Sequence, residues 1–138
     1  VFATRLTRLT PELAERDPDL ALRRAGAAAE DWAGGTRIGE AMAEFNDRWG
    51  RRGLARGAVV VVVSDGWEGA NAARLGEEMG RLARMAHRVV WVNPRSARPT
   101  FRPETAGMAA ALPHVDQLVS GHSLVALHRL LEAIRAGG

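Results

Sequence analysis

Strongly apolar segments alternate with amphipathic ones along most of the chain. The most apolar segment, residues 58–63, is almost entirely valine. β-Branched side chains favour strands, and a strand that is apolar on both faces is expected to be buried on both faces. Residues 87–92 have the same character and are followed by Asn93-Pro94, which ends the strand. We therefore predict two central strands of a sheet that helices cover.

Helices are predicted where apolar residues recur every three or four positions. Asp17-Pro18 begins a helix, because Asp caps a helix and Pro fits its first turn, and Gly34-Gly35 ends this helix after about residue 32. A second helix begins near Ile38, and residues 50–57 are predicted to form a loop. The face of the second helix carries Ile38, Met42, Phe45 and Trp49. Later helices are predicted at residues 69–86, 105–112 and 123–136. The core face of the first of these carries Leu75, Met79, Leu82 and Ala86, and that of the last carries Leu124, Leu127, Leu131 and Ile134.

Three shorter strands complete the predicted order, at residues 1–3, 6–9 and 116–119. Strands that alternate with helices predict an α/β fold, a mostly parallel sheet with helices on both faces. The length of 138 residues suffices for one core, so we predict a single domain over residues 1–138.

Composition narrows the class of protein. Hydrophobic residues make up 46% and charged residues 25% of the chain, which is typical of globular proteins. Cysteine is absent, which excludes disulfides and thiolate metal sites. The longest apolar run is far shorter than the roughly 20 residues that cross a bilayer, and no secretory signal pattern is visible. We therefore expect a cytoplasmic protein without membrane insertion.

The charge is less basic than the sequence pI of about 11.1 suggests. All 19 basic side chains are arginine, and the net charge is only +3. Carboxylates are interspersed among the arginines, as in Glu77 and Glu78 between Arg74 and Arg81. Because no basic stripe with interleaved aromatic residues is visible, we predict that the chain does not bind nucleic acid. A domain that binds nucleic acid through its arginines is an alternative interpretation. Binding that weakens steeply as the salt concentration rises would support it.

Two polar motifs could form a site at the carboxyl ends of the strands, where such sheets bind ligands. The valine strand ends in Ser64-Asp65-Gly66, which holds a carboxylate at the sheet rim, unless Asp65 merely caps a helix or stabilises a turn. The run Gly-Gly-Thr-Arg-Ile-Gly at residues 34–39 places Thr36 at a helix start. There a hydroxyl and backbone N–H groups could serve a phosphate or a metal-bound water. The run is neither a P-loop nor a dinucleotide fingerprint, and a simple glycine break with Thr as N-cap is the alternative.

Together and in this order, these motifs resemble the CoxE-like von Willebrand factor A (VWA) family. The similar runs are FATRLT at residues 2–7, GGTRIG at 34–39, VVVVSDGWE at 60–68, AHRVVWVNP at 86–94 and MAAALPHVD at 108–116. The resemblance covers essentially the whole chain and implies a VWA, Rossmann-like fold.

The resemblance implies a metal-ion-dependent adhesion site in which Thr36 and Asp65 are ligands. Hydroxyl and carboxylate oxygens suit a hard cation such as Mg²⁺ or Mn²⁺. The family's Asp-x-Ser-x-Ser loop, which follows its first strand, does not occur in this sequence. We therefore expect a domain that is incomplete at its N-terminus, without the first strand, and a metal site with two of its expected protein ligands.

The resemblance further implies a cation-dependent protein-binding module and not an enzyme. Its partners would be a MoxR-type AAA+ ATPase and a client metalloenzyme that the two proteins help to mature. The rival interpretation is a Rossmann-like hydrolase or phosphotransferase that uses Asp65 at the sheet rim, with Thr36 near a phosphate. No general acid or base can be assigned for that chemistry.

Three further residues near these motifs have two interpretations each. Trp67 is either an exposed anchor beside the metal or folded under the following helix. Arg37 either holds a partner's carboxylate or pairs with Glu40 on its own helix, and we favour the pair. Trp91, in the second apolar strand, is predicted to lie in the core.

Overall fold

The computed structural model describes residues 1–29, 35–68, 71–95, 105–121 and 123–135. Its sheet has three parallel strands, in the order β1 (Val59–Val63), β2 (Arg88–Asn93) and β3 (Gln117–Ser120). In the register of the sheet, Val61 lies opposite Val90 and Trp91 lies opposite Leu118. The predicted α/β class with a parallel sheet is confirmed.

Helices connect and flank these strands. They are α1 (Thr10–Leu13), α2 (Pro18–Ala28), α3 (Ile38–Phe45), a π-helical segment (Asn46–Leu54), α4 (Ala72–Met85), α5 (Ala106–Ala111), a 3₁₀ turn (Leu112–His114) and α6 (Leu124–Arg135). The side chains of Asp17, Asn71 and Thr105 accept hydrogen bonds from backbone N–H groups in the first turns of α2, α4 and α5. Such caps satisfy donors that a helix start leaves unpaired, which explains why these helices begin where they do.

Hydrophobic side chains on the strands alternate between the two faces of the sheet. Val89 and Trp91 pack in the larger core cluster, which also contains buried residues of α3, α4 and α5. Val90 and Val92 belong to the second cluster, where Leu130 of α6 packs against them. Helices therefore cover both faces, as predicted.

The valine strand is less buried than predicted. Val62 is buried, but the side chain of Val63 is 59% exposed and the remaining valines of β1 are half-buried. Within the described parts of the chain, β1 is an edge strand that pairs with β2 alone. The expectation of a strand buried on both faces is therefore wrong at the end of β1.

The first nine residues add no strand to the sheet, contrary to prediction. Phe2 and Leu6 form an isolated antiparallel bridge, and the backbone N–H of Thr7 donates to Val1 O at 2.8 Å. A local turn therefore satisfies backbone groups that the prediction assigned to strand pairing. The unpredicted helix α1 follows, and α2 ends at Ala28. The predicted end of that helix, near residue 32, lies outside the described residues.

Two further predictions about helices are wrong. The predicted loop at residues 50–57 is wrong at its start, because residues 50–52 continue the π-helical segment. Gly53, with φ 125°, breaks the helical backbone, and a turn follows at residues 55–57. Buried contacts of Asn46 anchor the start of the segment. In α6, Leu131 and Ile134 are exposed, since the described contact with the sheet is made by Leu130. The side chains of Leu124 and Leu127 lie outside the described part. No helix among the described residues is long and apolar enough to cross a membrane.

Candidate functional site

The chain turns sharply where β1 reaches the carboxyl edge of the sheet. The N–H of Trp67 donates to Asp65 Oδ1 at 3.1 Å, and the N–H of Gly66 donates to Ser64 Oγ at 3.1 Å. Gly66 has φ 75°, a left-handed conformation that favours glycine. These bonds hold the Asp65 carboxylate at the rim, with 35% of the side chain exposed.

The start of α5 packs directly against this turn. The hydroxyl of Thr105 donates to Gly66 O at 2.9 Å. A Cβ atom on Gly107 would lie 2.4 Å from Gly66 O, and one on Gly66 would lie 2.3 Å from Cγ of Met108. Only glycine allows this approach of two backbones, so the position of the turn is set by close packing.

The end of β2 fixes the same turn from the side. Trp91 Nε1 donates to Ser64 O at 2.8 Å, and Asn93 Nδ2 donates to Asp65 O at 3.4 Å. Both donor residues are fully buried, and the predicted core position of Trp91 is confirmed. From the sequence, Asn93 was identified only as a strand end. The available signal was that Asn93 is a polar residue at the end of a buried strand, at the same sheet edge as Asp65.

A cationic side chain faces the Asp65 carboxylate. Arg95 Nη1 lies 3.5 Å from Asp65 Oδ2, and the backbone N–H of Arg95 donates to Asn93 Oδ1 at 2.8 Å. The Arg95 side chain is 76% exposed, so water screens this ion pair and its net contribution to stability is small. The Asp65 carboxylate can therefore exchange Arg95 for another cation.

A hydrogen bond connects the segments that carry Thr36 and Asp65. Thr36 is half-buried just before α3, and the N–H of Gly39 in the first turn of α3 donates to Glu68 Oε2 at 2.8 Å. Thr36 precedes Gly39 by three residues, and Asp65 precedes Glu68 by three. Three residues span at most about 11 Å between Cα atoms. The hydrogen bond between Gly39 and Glu68 thus joins the two loops that carry the predicted ligands.

Glu68 is a second residue that the sequence analysis missed. Its carboxylate accepts an N–H group that has no partner within the helix, at the positive end of the helix dipole. A carboxylate three residues beyond Asp65 was the available signal, but its partner on α3 could not be read from the sequence. Gly39 also lies close to α4, because a Cβ on Gly39 would lie 2.9 Å from the backbone N of Leu75.

The predicted ligand atoms are of the chemical type that a hard divalent cation prefers. The Thr36 hydroxyl and the Asp65 carboxylate offer oxygen, which Mg²⁺ and Mn²⁺ prefer. Among the described residues, no group of three or more His, Cys, Asp or Glu side chains could hold a metal ion. Few protein ligands suit Mg²⁺, which usually retains several waters. Shared coordination by Thr36 and Asp65 stays a prediction.

The surface beside the rim has features of a binding site for a protein. Trp67 is 64% exposed, which favours the exposed interpretation over a position under the following helix. A cavity of about 460 Å³ is lined by Trp67, Glu68, Thr105 and Ala106. Arg37 Nη1 lies 3.4 Å from Glu40 Oε2, which confirms the predicted pair on α3.

Comparison with known proteins gave one match to a family. The sequence profile described as VWA domain containing CoxE-like protein matches residues 1–127. This range includes the whole sheet and both predicted ligands. No curated protein and no solved structure gives a significant match.

Proposed function

The chain belongs to the family of VWA domain containing CoxE-like proteins, and from this premise we propose that it is a cation-dependent protein-binding module. VWA domains are in general protein-interaction modules and are typically not catalytic. In the proposal, Thr36 and Asp65 hold Mg²⁺ or Mn²⁺ at the carboxyl edge of the sheet. The ion would supply an open coordination position for a carboxylate of the partner protein.

The hydrogen bond from Gly39 N–H to Glu68 is the observation that best supports this proposal. It ties the start of α3 to the loop after β1, and the predicted ligands stand three residues before its two ends. Thr36 and Asp65 are 29 positions apart in the sequence, so the fold and not local chain geometry brings their loops together. Preorganised donors lose little conformational entropy when they bind an ion.

Trp67 and its neighbouring cavity extend the proposed contact beyond the ion. An exposed Trp offers a large rigid surface, and Trp is enriched among the residues that dominate binding energy. In the proposed complex, Asp65 holds the ion that orients the partner's carboxylate, while Trp67 packs against an apolar group next to that carboxylate.

The family resemblance supports a more specific role for this module. By that resemblance, the chain acts as an accessory factor with a MoxR-type AAA+ ATPase in the maturation of a metalloenzyme. The ATPase is then the protein that binds at the cation site, and the metalloenzyme is their shared client.

Isothermal titration of Mg²⁺ and Mn²⁺ tests the proposed ligands. We expect Asp65→Ala to weaken Mn²⁺ affinity at least about tenfold and Thr36→Val to weaken it less, because a carboxylate contributes charge and a hydroxyl does not. Glu132→Ala is the matched control, since it removes an exposed carboxylate from α6, far from the rim. Equal affinity of the unmodified chain and Asp65→Ala would remove Asp65 from any metal site.

Pull-down of a MoxR-type ATPase tests the proposed partner. We expect capture in Mg²⁺ and loss of capture both in EDTA and with Asp65→Ala. Capture that EDTA leaves unchanged would contradict cation-dependent binding. Turnover of a phosphoester by the purified chain, lost in Asp65→Ala, would instead support the hydrolase or phosphotransferase interpretation.

A further inference from the structure

A positively charged surface lies at the amino edge of the sheet, opposite the candidate metal site. We name it the basic patch and define it as Arg51, Arg52, Leu54, Arg56 and Arg84. The chain from Ala55 to Ala58 leads directly into β1, and the N–H of Gly57 donates to the carbonyl of Met85 at 3.0 Å. This bond sets the segment that carries Arg56 beside the last turn of α4, which carries Arg84.

Within the described residues, the arginines of the basic patch form no close ion pair with a carboxylate. All four are exposed, and no described ion pair or side-chain hydrogen bond involves them. Several other arginines of this chain are paired with nearby carboxylates. Examples are Arg24 with Glu15 at 2.8 Å and Arg74 with Glu78 at 3.0 Å. The patch therefore carries positive charge that no close ion pair among the described residues neutralises.

Asp47, a carboxylate on which the charge of Arg51 acts, is already engaged. Arg81 Nη2 lies 2.7 Å from Asp47 Oδ1. The hydrogen bond from Arg81 holds the pKa of Asp47 below its usual value, and the positive charge of Arg51 acts in the same direction. Asp47 is thus ionised but paired, and it leaves the excess charge of the patch in place.

A buried ionic cluster holds the start of the segment that carries the patch. Asn46 Nδ2 donates to Glu78 Oε2 at 2.9 Å and to Glu78 O at 3.0 Å, and Arg81 Nη1 lies 2.8 Å from Glu78 Oε2. Both Asn46 and Glu78 are buried. Arg51 and Arg52 follow on the same π-helical segment, so they are displayed from an anchored backbone, which lowers the entropic cost of binding.

Leu54 gives the basic patch an apolar component. Its side chain is 57% exposed on the same segment as the arginines. We propose that the basic patch docks an acidic segment of a partner protein, with Leu54 contacting an apolar side chain of that segment. Guanidinium groups match carboxylates in geometry and form paired charge-assisted hydrogen bonds with them. This second contact needs no metal ion and is independent of the proposed function.

The apolar component favours a protein over the two other anionic partners. A phosphate backbone has no apolar counterpart for Leu54, and none of the five residues of the basic patch carries an aromatic ring for stacking on bases. A single exposed leucine is also much less than the apolar face with which amphipathic helices enter membranes.

Fluorescence anisotropy with a labelled peptide of alternating Glu and Leu tests this proposal. The patch variant is Arg51→Glu/Arg52→Glu/Arg56→Glu. The control Arg16→Glu/Arg23→Glu/Arg129→Glu changes the net charge equally at exposed arginines elsewhere. In EDTA, we expect the patch variant to bind the peptide at least about tenfold more weakly and the control less than about twofold. Circular dichroism verifies that both variants are folded.

A second variant separates the apolar contact from charge. We expect Leu54→Ser to weaken peptide binding about threefold and to leave the affinity for duplex DNA unchanged. Equal loss in the patch and control variants would overturn the proposal, because it would mean that net charge alone drives binding. Tighter binding of duplex DNA than of the peptide, lost in the patch variant, would also overturn it and favour a nucleic-acid surface.

Discussion

Among the described residues, Arg95 carries the positive charge that faces the Asp65 carboxylate and opposes cation binding there. Its guanidinium lies 3.5 Å from the Asp65 carboxylate and places a positive charge where a metal ion is proposed to bind. Two unit charges about 4 Å apart interact with about 1 kcal/mol in water and more near a protein surface. The arginine therefore competes with the ion for Asp65 and also repels it.

Replacing Arg95 with Ala should strengthen metal binding. We expect the affinity for Mn²⁺ to rise about threefold to tenfold at low ionic strength, and the gain to shrink as salt screens the charges. Isothermal titration measures this change, with Arg129→Ala as a control that removes an exposed arginine from α6. Unchanged or weaker affinity in Arg95→Ala would show that Arg95 does not compete for the ion.

At the residue scale, Asp65 and Thr36 could be singled out from the sequence, but their surroundings could not. An Asp that closes a valine strand must lie at a sheet rim, whatever the rest of the fold. By contrast, Asn93 and Glu68 form hydrogen bonds with residues 28 and 29 positions away in the sequence. Only the packing of the helices and strands brings these residues close. Arg95 likewise reaches Asp65 because β2 pairs with β1.

At the element scale, the segment Asn46–Leu54 shows where periodicity stops being informative. Its glycines and arginines predict a loop, yet up to Arg52 it continues α3 as a π-helical segment, before Gly53 breaks the helical backbone with φ 125°. A buried amide anchors its start, since Asn46 bonds to Glu78 across 32 positions. Sequence analysis did predict α4 and its core face, because Leu75, Met79 and Leu82 keep helical spacing, and all three are buried.

Glu78 should contribute far more to stability than its neighbour Glu77. Glu78 is 1% exposed and contacts Arg74, Arg81 and Asn46, whereas Glu77 is 68% exposed and pairs with Arg74 at 3.6 Å. We expect Glu78→Ala to lower the free energy of unfolding by about 2–3 kcal/mol, because it removes one hydrogen bond of the buried Asn46 amide and the ion pairs with Arg74 and Arg81. Glu77→Ala should cost less than about 0.5 kcal/mol. Urea unfolding measures both, and equal losses would contradict a structural role for the buried carboxylate.

At the scale of the whole molecule, the parallel sheet separates two kinds of surface. The carboxyl edge carries Asp65 and the exposed Trp67, while the amino edge carries the basic patch. The α/β class could be predicted because strand and helix periodicities differ along the whole chain. The valine pattern alone does not predict the edge position of β1, with its exposed Val63, because a run of valines does not reveal which strands pair with it.

The central claim is that Thr36 and Asp65 face one ion at the carboxyl edge. Paramagnetic broadening of backbone amide NMR signals by a small amount of Mn²⁺ tests it most directly. We predict loss of the signals of both residues 35–39 and residues 65–68, while those of Arg51, Arg52 and Arg56 stay sharp and Asp65→Ala restores the lost signals. Broadening confined to one of the two loops, or centred on the amino edge, would contradict the shared site.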